Sequence, residues 1–250
     1  VGKSTVSVNL AYALRDLGLT VGILDLDIYG PSLPELIPMP PGALEATEDG
    51  MIVPFGYAGV GVMSWGYVQP GQATTIRAPL ATRCATQLLT MVQWGELDCL
   101  VVDTPPGTGD VLLTLTQTLQ IDGAVLVTTG NEMSIADLKK GVELLEKVDV
   151  PTLAVCHNMA GHTCERCGHE SDLFVDAAAE QIPGLMEACP GGELHRIPLD
   201  GRLWQAPRGP LPPQVQAYPY VRSPANGDRP AARALRALAE GLLAAFLAGR

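Results

Sequence analysis

Short apolar runs recur along this 250-residue chain, with amphipathic segments between them. Residues 21–24 end at Asp25, Val60–Ser64 precedes a polar loop, and residues 99–102 end at Asp103; Ala124–Thr128 and residues 152–156 complete the series. Runs this short and this apolar belong to a sheet covered on both faces, and strands that alternate with helices build a parallel one. Helices are predicted at 80–93 and 135–147, the latter with Leu138, Val142, Leu145 and Val148 along one side. The expected architecture is therefore α/β, a mainly parallel twisted sheet with helices on both faces. Ligands of such sheets bind beyond the carboxyl ends of the strands, which puts Asp25 and Asp103 at the chemical end.

The chain opens Val1-Gly2-Lys3-Ser4-Thr5, the second half of the phosphate-binding pattern G-x-x-x-x-G-K-[ST]. In that pattern the glycine lets backbone wrap closely around a phosphate, the lysine reaches the β- and γ-phosphates, and the serine hydroxyl ligates Mg²⁺. Val6, Leu10, Ala13, Leu14 and Leu17 follow at helical spacing, so a helix N-terminus would face the anion. Four letters alone also fit an ordinary capped helix start.

Two acidic loops add weight. Leu100-Val101-Val102-Asp103 is an apolar strand ending in a carboxylate, as at a nucleotide-bound Mg²⁺, and Thr104-Pro105-Pro106-Gly107-Thr108-Gly109-Asp110 follows it. Its prolines stiffen the exit, and its glycines let the backbone approach a γ-phosphate and move when it leaves. Asp25-Leu26-Asp27-Ile28-Tyr29-Gly30-Pro31-Ser32 places two carboxylates at spacing two just past a strand, suited to orienting an attacking water.

The formal net charge of −11 argues against a general nucleic-acid surface, which needs clustered Lys and Arg. No apolar run approaches the ~18 residues of a membrane span. Residues 206–230 are rich in Pro, Gly and Arg and read as irregular, and 231–247 reads as a helix with Leu235, Leu238, Leu242 and Phe246 aligned. The expected division is a core domain at 1–205 and this Pro/Arg-rich segment plus C-terminal helix at 206–250.

Of six cysteines, Cys99 and Cys156 sit in apolar runs, as reduced buried thiols do. Cys164-Glu165-Arg166-Cys167-Gly168, flanked by His162 and His169, is different: two thiolates three residues apart can hold one metal or one edge of a cluster. Iron–sulfur clusters and structural zinc both normally take four ligands, and this pair supplies two. Spacing alone leaves three readings open: a cluster bridged by two pairs in a two-fold dimer, zinc completed by a histidine or distant cysteine, or a redox dithiol.

Taken together, GKST, DLDIYGPS, WGELDCLVVDTPPGTGD, DGAVLVTT and HNM, in this order and spacing, resemble the Mrp/ApbC family over roughly residues 1–205. These are P-loop ATPases of the deviant Walker A class, related to ParA, MinD and nitrogenase iron protein. The resemblance implies a P-loop NTPase fold and ATP–Mg²⁺ at Gly2, Lys3, Ser4, Thr5 and Gly107. Lys3, Asp27 and Asp103 would act at the reacting phosphate, Ser4 and Asp103 would hold Mg²⁺, and Asn158 would lie at the adenine. It also implies a homodimer whose Cys164 and Cys167 pairs share a [4Fe–4S] cluster for transfer to apoprotein acceptors. A reducing compartment follows, the cytoplasm or an organelle matrix. A ParA/MinD-like positioning ATPase and a P-loop protein with a structural zinc are the alternatives.

Three features depart from the family pattern. Arg77-Ala78-Pro79 stands where Arg-Gly-Pro is usual, Glu165 where Pro is frequent, and a glycine-rich stretch is replaced around 174–179. The family's second loop lysine and the strand before the loop are expected upstream of Val1, so the fold reads as N-terminally truncated. The 250-residue chain expressed by itself is accordingly expected to bind ATP weakly; calorimetry showing tight binding would overturn this.

Overall fold

In the computed structural model, described residues are 1–40, 42, 44–69, 78–107, 110–164, 166–172, 177–189, 191–203, 220–222 and 226–248. Arg77, residues 174–176 and most of 206–230 therefore lie outside the described residues. The chain divides into two compact units, one built on Ser7–Gln120 and the other on Val1–Val6, Ile121–Leu203 and Tyr220–Arg250.

Helix α1 (Lys3–Asp16) leads from one unit into the other. Within Ser7–Gln120 come β1 (Val21–Asp25), α2 (Leu33–Leu36), β2 (Glu45–Ala46), β3 (Ile52–Val53), β4 (Phe55–Tyr57), β5 (Val60–Ser64), α3 (Trp65–Val68), α4 (Ala78–Met91), β6 (Cys99–Asp103) and α5 (Asp110–Thr118). The main sheet runs β4-β5-β1-β6. β1 is parallel to both neighbours, with Ile23 opposite Val62 and Val101 and Asp25 opposite Ser64 and Asp103. Every residue of β1 is buried, as expected of a central strand covered on both faces. Gly22 is needed there, because a Cβ would sit 2.8 Å from the Trp94 ring and from Leu97. β4 returns antiparallel to β5 through Ala58-Gly59, whose φ values of 49° and 85° belong to a two-residue hairpin turn. The small β2–β3 pair is also antiparallel.

The second unit contains β7 (Ala124–Thr128), α6 (Glu132–Lys147), β8 (Thr152–Thr163), β9 (Glu170–Ser171), α7 (Ile182–Leu185), β10 (Glu193–Leu199) and α8 (Pro230–Ala248). Its sheet is ordered β10-β8-β7, all parallel, with β9 added antiparallel to the far end of β8. Asn131 caps α6 by accepting the Ser134 amide at 2.9 Å. Ile135, Leu138 and Val142 of that helix pack with Val155, Ile182 and Cys189. The predicted C-terminal helix is present as α8. It lies against β10 and β8 and buries Ala231, Ala232, Leu235, Leu238, Ala239 and Leu242, so this apolar stripe is a core face. No helix among the described residues is long and apolar enough to cross a membrane.

Buried Asp200, just after β10, ties the return of the chain to this unit. It accepts Tyr220 Oη at 2.6 Å, the Arg202 amide at 3.0 Å and Arg229 Nε. Burial pushes the Asp200 carboxyl up, but the bonds from Arg229, Tyr220 and the Arg202 amide outweigh it and hold the carboxyl below its ordinary range. A depressed folded-state pKa gives stability that is complete above the unfolded value, about 3.9, and is lost as pH falls through the folded one. Asp200→Asn is expected to cost about 1–3 kcal/mol at pH 7, and less at a pH below the unfolded carboxylate value of about 3.9. Urea unfolding at both pH values checks this.

Candidate functional site

Gly2 has φ +83°, and α1 starts immediately after it, Val6 N–H bonding Gly2 O at 3.0 Å. This arrangement turns the first-turn amides of Lys3, Ser4 and Thr5 out of the helix end, where an anion is favoured. Asn158, on β8, is buried and donates from Nδ2 to Val1 O at 2.9 Å. A Cβ on Gly2 would lie 2.5 Å from that same Nδ2. Only glycine fits between the loop and Asn158, in both space and backbone angle. Asn158 is thus built against the start of the phosphate loop.

Asp25 and Asp103 end adjacent parallel strands and are fully buried. Asp103 accepts the Ser7 hydroxyl at 3.1 Å, one turn beyond Ser4 on α1. Asp25 is the centre of a larger set: Oδ1 accepts the Asp27 amide at 2.9 Å, and Oδ2 accepts Ser64 Oγ at 3.0 Å and the Ser32 and Leu33 amides at 3.1 and 3.2 Å. Burial, with the charge of Asp103 behind it, pushes the Asp25 carboxyl up to about 6 despite the lowering by the Asp27 and Leu33 amides and Ser64. Asp27 is only partly buried, and its Oδ1 accepts the Gly30 amide at 3.1 Å. The two carboxylates at spacing two therefore differ in kind. Asp25 organises the loop, and Asp27 sits on it with room to meet a ligand.

Ser7 and Ser64 belong to this cluster and were missed at the level of sequence. Ser7 follows the GKST element at helical spacing from Ser4, a signal that was available. Ser64, at a strand end, reads as a turn residue. Gly107 lies after β6, exposed, with φ +88°; Thr108 and Gly109 lie outside the described residues.

Cys164 and Cys167 occupy the tip of the β8–β9 hairpin, where His162 pairs Ser171 and Thr163 pairs Glu170. The Cys164 amide donates to His169 O and the Gly168 amide to Cys164 O, both at 2.9 Å, with Gly168 at φ +69°. This tight turn holds the two cysteines on one knuckle. Cys164 is half-buried, Cys167 is exposed, and neither is in a disulfide. Among the described residues no group of three or more His, Cys, Asp or Glu gathers as a metal site. Cys156, by contrast, is buried on β8, and burial pushes its thiol up to about 12.

A family model described as ParA, NUBPL iron-transfer P-loop NTPase, matches residues 1–216. The chain belongs to this family. The family's P-loop NTPase architecture accounts for the α/β sheets, the glycine–lysine loop and the strand-end aspartates. Among relatives, the iron–sulfur cluster carrier protein of Haemophilus influenzae is 43% identical over 183 residues, covering 73% of this chain and 50% of its own length. The chain therefore spans half the length of that relative. The iron–sulfur cluster carrier protein of Pyrococcus abyssi is 38% identical over 254 residues, covering 97% of this chain and 82% of its own. A solved nucleotide-binding protein of Archaeoglobus fulgidus, in complex with ADP, superposes with TM-score 0.67 at 33% identity, covering 81% of this chain and 78% of that one.

The contact between Gly2 and Asn158 yields a direct check within this NTPase. Gly2→Ala adds a Cβ in a left-handed conformation and displaces the Asn158 amide, an expected loss of about 1–3 kcal/mol. Equilibrium urea unfolding measures it, and unchanged stability would show that the loop relaxes freely.

Proposed function

We propose that this protein is an ATPase that binds an iron–sulfur cluster at Cys164 and Cys167 and passes it to apoprotein acceptors. The observation that carries the reading is β8. The strand bearing Asn158, which bonds the start of the phosphate loop, runs on six residues to Cys164 at its hairpin tip. Membership of an iron-transfer NTPase family and the cluster-carrier relatives support it. A dithiol knuckle with Cys167 exposed and Cys164 half-buried suits a cargo that must arrive and leave.

In this reading Gly2, Lys3, Ser4, Thr5 and Gly107 hold the nucleotide phosphates, and Asn158 serves the nucleotide from β8. Ser4 hydroxyl and Asp103 carboxylate are hard oxygen donors suited to Mg²⁺, which supplies charge neutralisation at the transferring phosphate. Lys3 adds a fixed positive charge to that phosphate, and Asp27 orients the attacking water from its partly open position. Asp25 stays behind the loop and does not meet substrate.

In this reading the cluster is cargo. Two thiols are half of the four ligands a [4Fe–4S] cluster takes, so two copies of the chain related by a two-fold axis would complete it. The test is anaerobic reconstitution of the full-length protein. About two iron and two sulfide per chain are expected for a shared cluster. Cys164→Ala combined with Cys167→Ala is expected to abolish that loading while circular dichroism stays unchanged. Undiminished iron and sulfide in the double variant would remove the reading, and stoichiometric zinc after anaerobic purification would replace it with a structural zinc site.

A further inference from the structure

Ser64 ends β5 and is fully buried, yet it is a polar residue in contact with a charged one. Its hydroxyl does two things at once. It donates to Asp25 Oδ2 at 3.0 Å and accepts the Gly66 amide at 3.2 Å, capping α3. The Asp25 carboxylate in turn receives the amides of Asp27, Ser32 and Leu33. One hydroxyl thus joins α3 to both ends of the loop that carries Asp27.

Other contacts make α3 a fixed support for that loop. A Cβ on Gly66 would sit 2.6 Å from Pro34 Cγ and 3.0 Å from Pro31 Cγ, so the helix backbone lies directly against the two prolines. Tyr67 Oη donates to Ile37 O at 2.7 Å, and the Tyr67 ring meets Phe55 edge-on at 5.0 Å. Asp27 has much less of its own: its side chain accepts an amide from within the same loop, that of Gly30. Its placement is therefore inherited from Asp25, and that of Asp25 from Ser64.

We propose that Ser64 is a positioning residue for ATP hydrolysis, acting through Asp25 and α3 to hold the Asp27 loop in its working place. This rests on the ATPase reading above. Ser64 has no role in holding nucleotide or cluster, so its removal should affect turnover and leave both binding steps alone. Misplacing a positioning group by about 1 Å costs up to about a hundredfold in rate, and losing one of three donors to Oδ2 is the milder case.

Steady-state hydrolysis by the full-length protein tests it. Ser64→Ala is expected to lower kcat about tenfold, with KM for ATP within about twofold of wild type and iron loading unchanged. Gly66→Ala pushes on Pro31 and Pro34 without removing any hydrogen bond, and is expected to give the same split. Wild-type kcat in both variants, or a fall in kcat matched by an equal rise in KM, would overturn the proposal. Failure of both variants to fold would assign Ser64 to stability and overturn it too. A wild-type protein that turns over no ATP would instead sink the ATPase reading.

Discussion

A buried carboxylate with four hydrogen-bond donors is the interaction on which the acidic side of this protein depends. Taking Asp25 out of water would cost several kcal/mol if it were left unpaired. The parallel register answers part of that need by setting the Ser64 hydroxyl on one side, although it also sets a second carboxylate, Asp103, on the other. The remaining donors come from the chain itself, which has to double back so that the amides of Asp27, Ser32 and Leu33 point at one side chain. The loop's shape is thus the shape that satisfies Asp25. The same enclosure explains why its pKa is pushed up to about 6: burial dominates, and a second buried carboxylate faces it across the sheet. Asp25 already accepts four hydrogen bonds, which agrees with Asp103 rather than Asp25 being the proposed oxygen donor to Mg²⁺.

β8 plays the corresponding part in the second unit. As far as Asn158 it is an ordinary central strand, paired to β7 and β10. Beyond it the backbone changes character, with φ 56° at Met159 and 140° at Gly161, and Arg196 on β10 holds Ala160 O at 3.0 Å. A residue added at Gly161 would press within 3.2 Å of Ser171 O, so the strand can pair β9 closely only because it is bare there. The strand turns out of its sheet and ends in the cysteine knuckle. A short continuous piece of backbone therefore separates the residue that touches the phosphate loop from the residues proposed to hold the cargo.

What was legible in the sequence follows from which signals survive without a partner in view. The five apolar runs read as strands all form them, β1 buried at every residue and β6 and β7 only partly so, because apolar β-rich letters mark a strand even where its faces are incompletely covered. Strand β8 is legible only to Cys156, because its second half, HNMAGHT, has no apolar alternation; its pairing comes from β10, distant in sequence, and from the hairpin strand β9. β10 was missed for the same reason, since ELHRIPL mixes charge, imidazole and proline. α5 was overlooked behind the Pro-Gly loop, although Val111 and Leu115 stand four apart and are both buried. At the site, motif letters single out Gly2, Lys3, Ser4, Asp25, Asp27, Asp103 and the cysteine pair as candidates. They could not rank Asp25 against Asp27, because spacing carries no burial. Nor could they find Ser64, whose importance lies in a register between strands nearly forty residues apart.

The cysteine knuckle also bears on why the proposed metal centre is a carried one. Structural zinc sites are closed by four ligands, usually from one chain, and their stability comes from having nothing left to exchange. Here the described residues offer two thiols on an exposed hairpin tip, with no third donor gathered beside them. A half-site of this kind binds weakly by itself and strongly only when a second half-site faces it. If two such chains share a cluster as proposed, anything that changes their relation would change cluster affinity directly, with no rearrangement inside the knuckle. Under the proposed function, nucleotide turnover would suit that task, since a γ-phosphate would add or remove charge at a loop that β8 touches through Asn158. In the proposed reading the knuckle would fix the sulfur geometry, and control would rest on whether two knuckles meet.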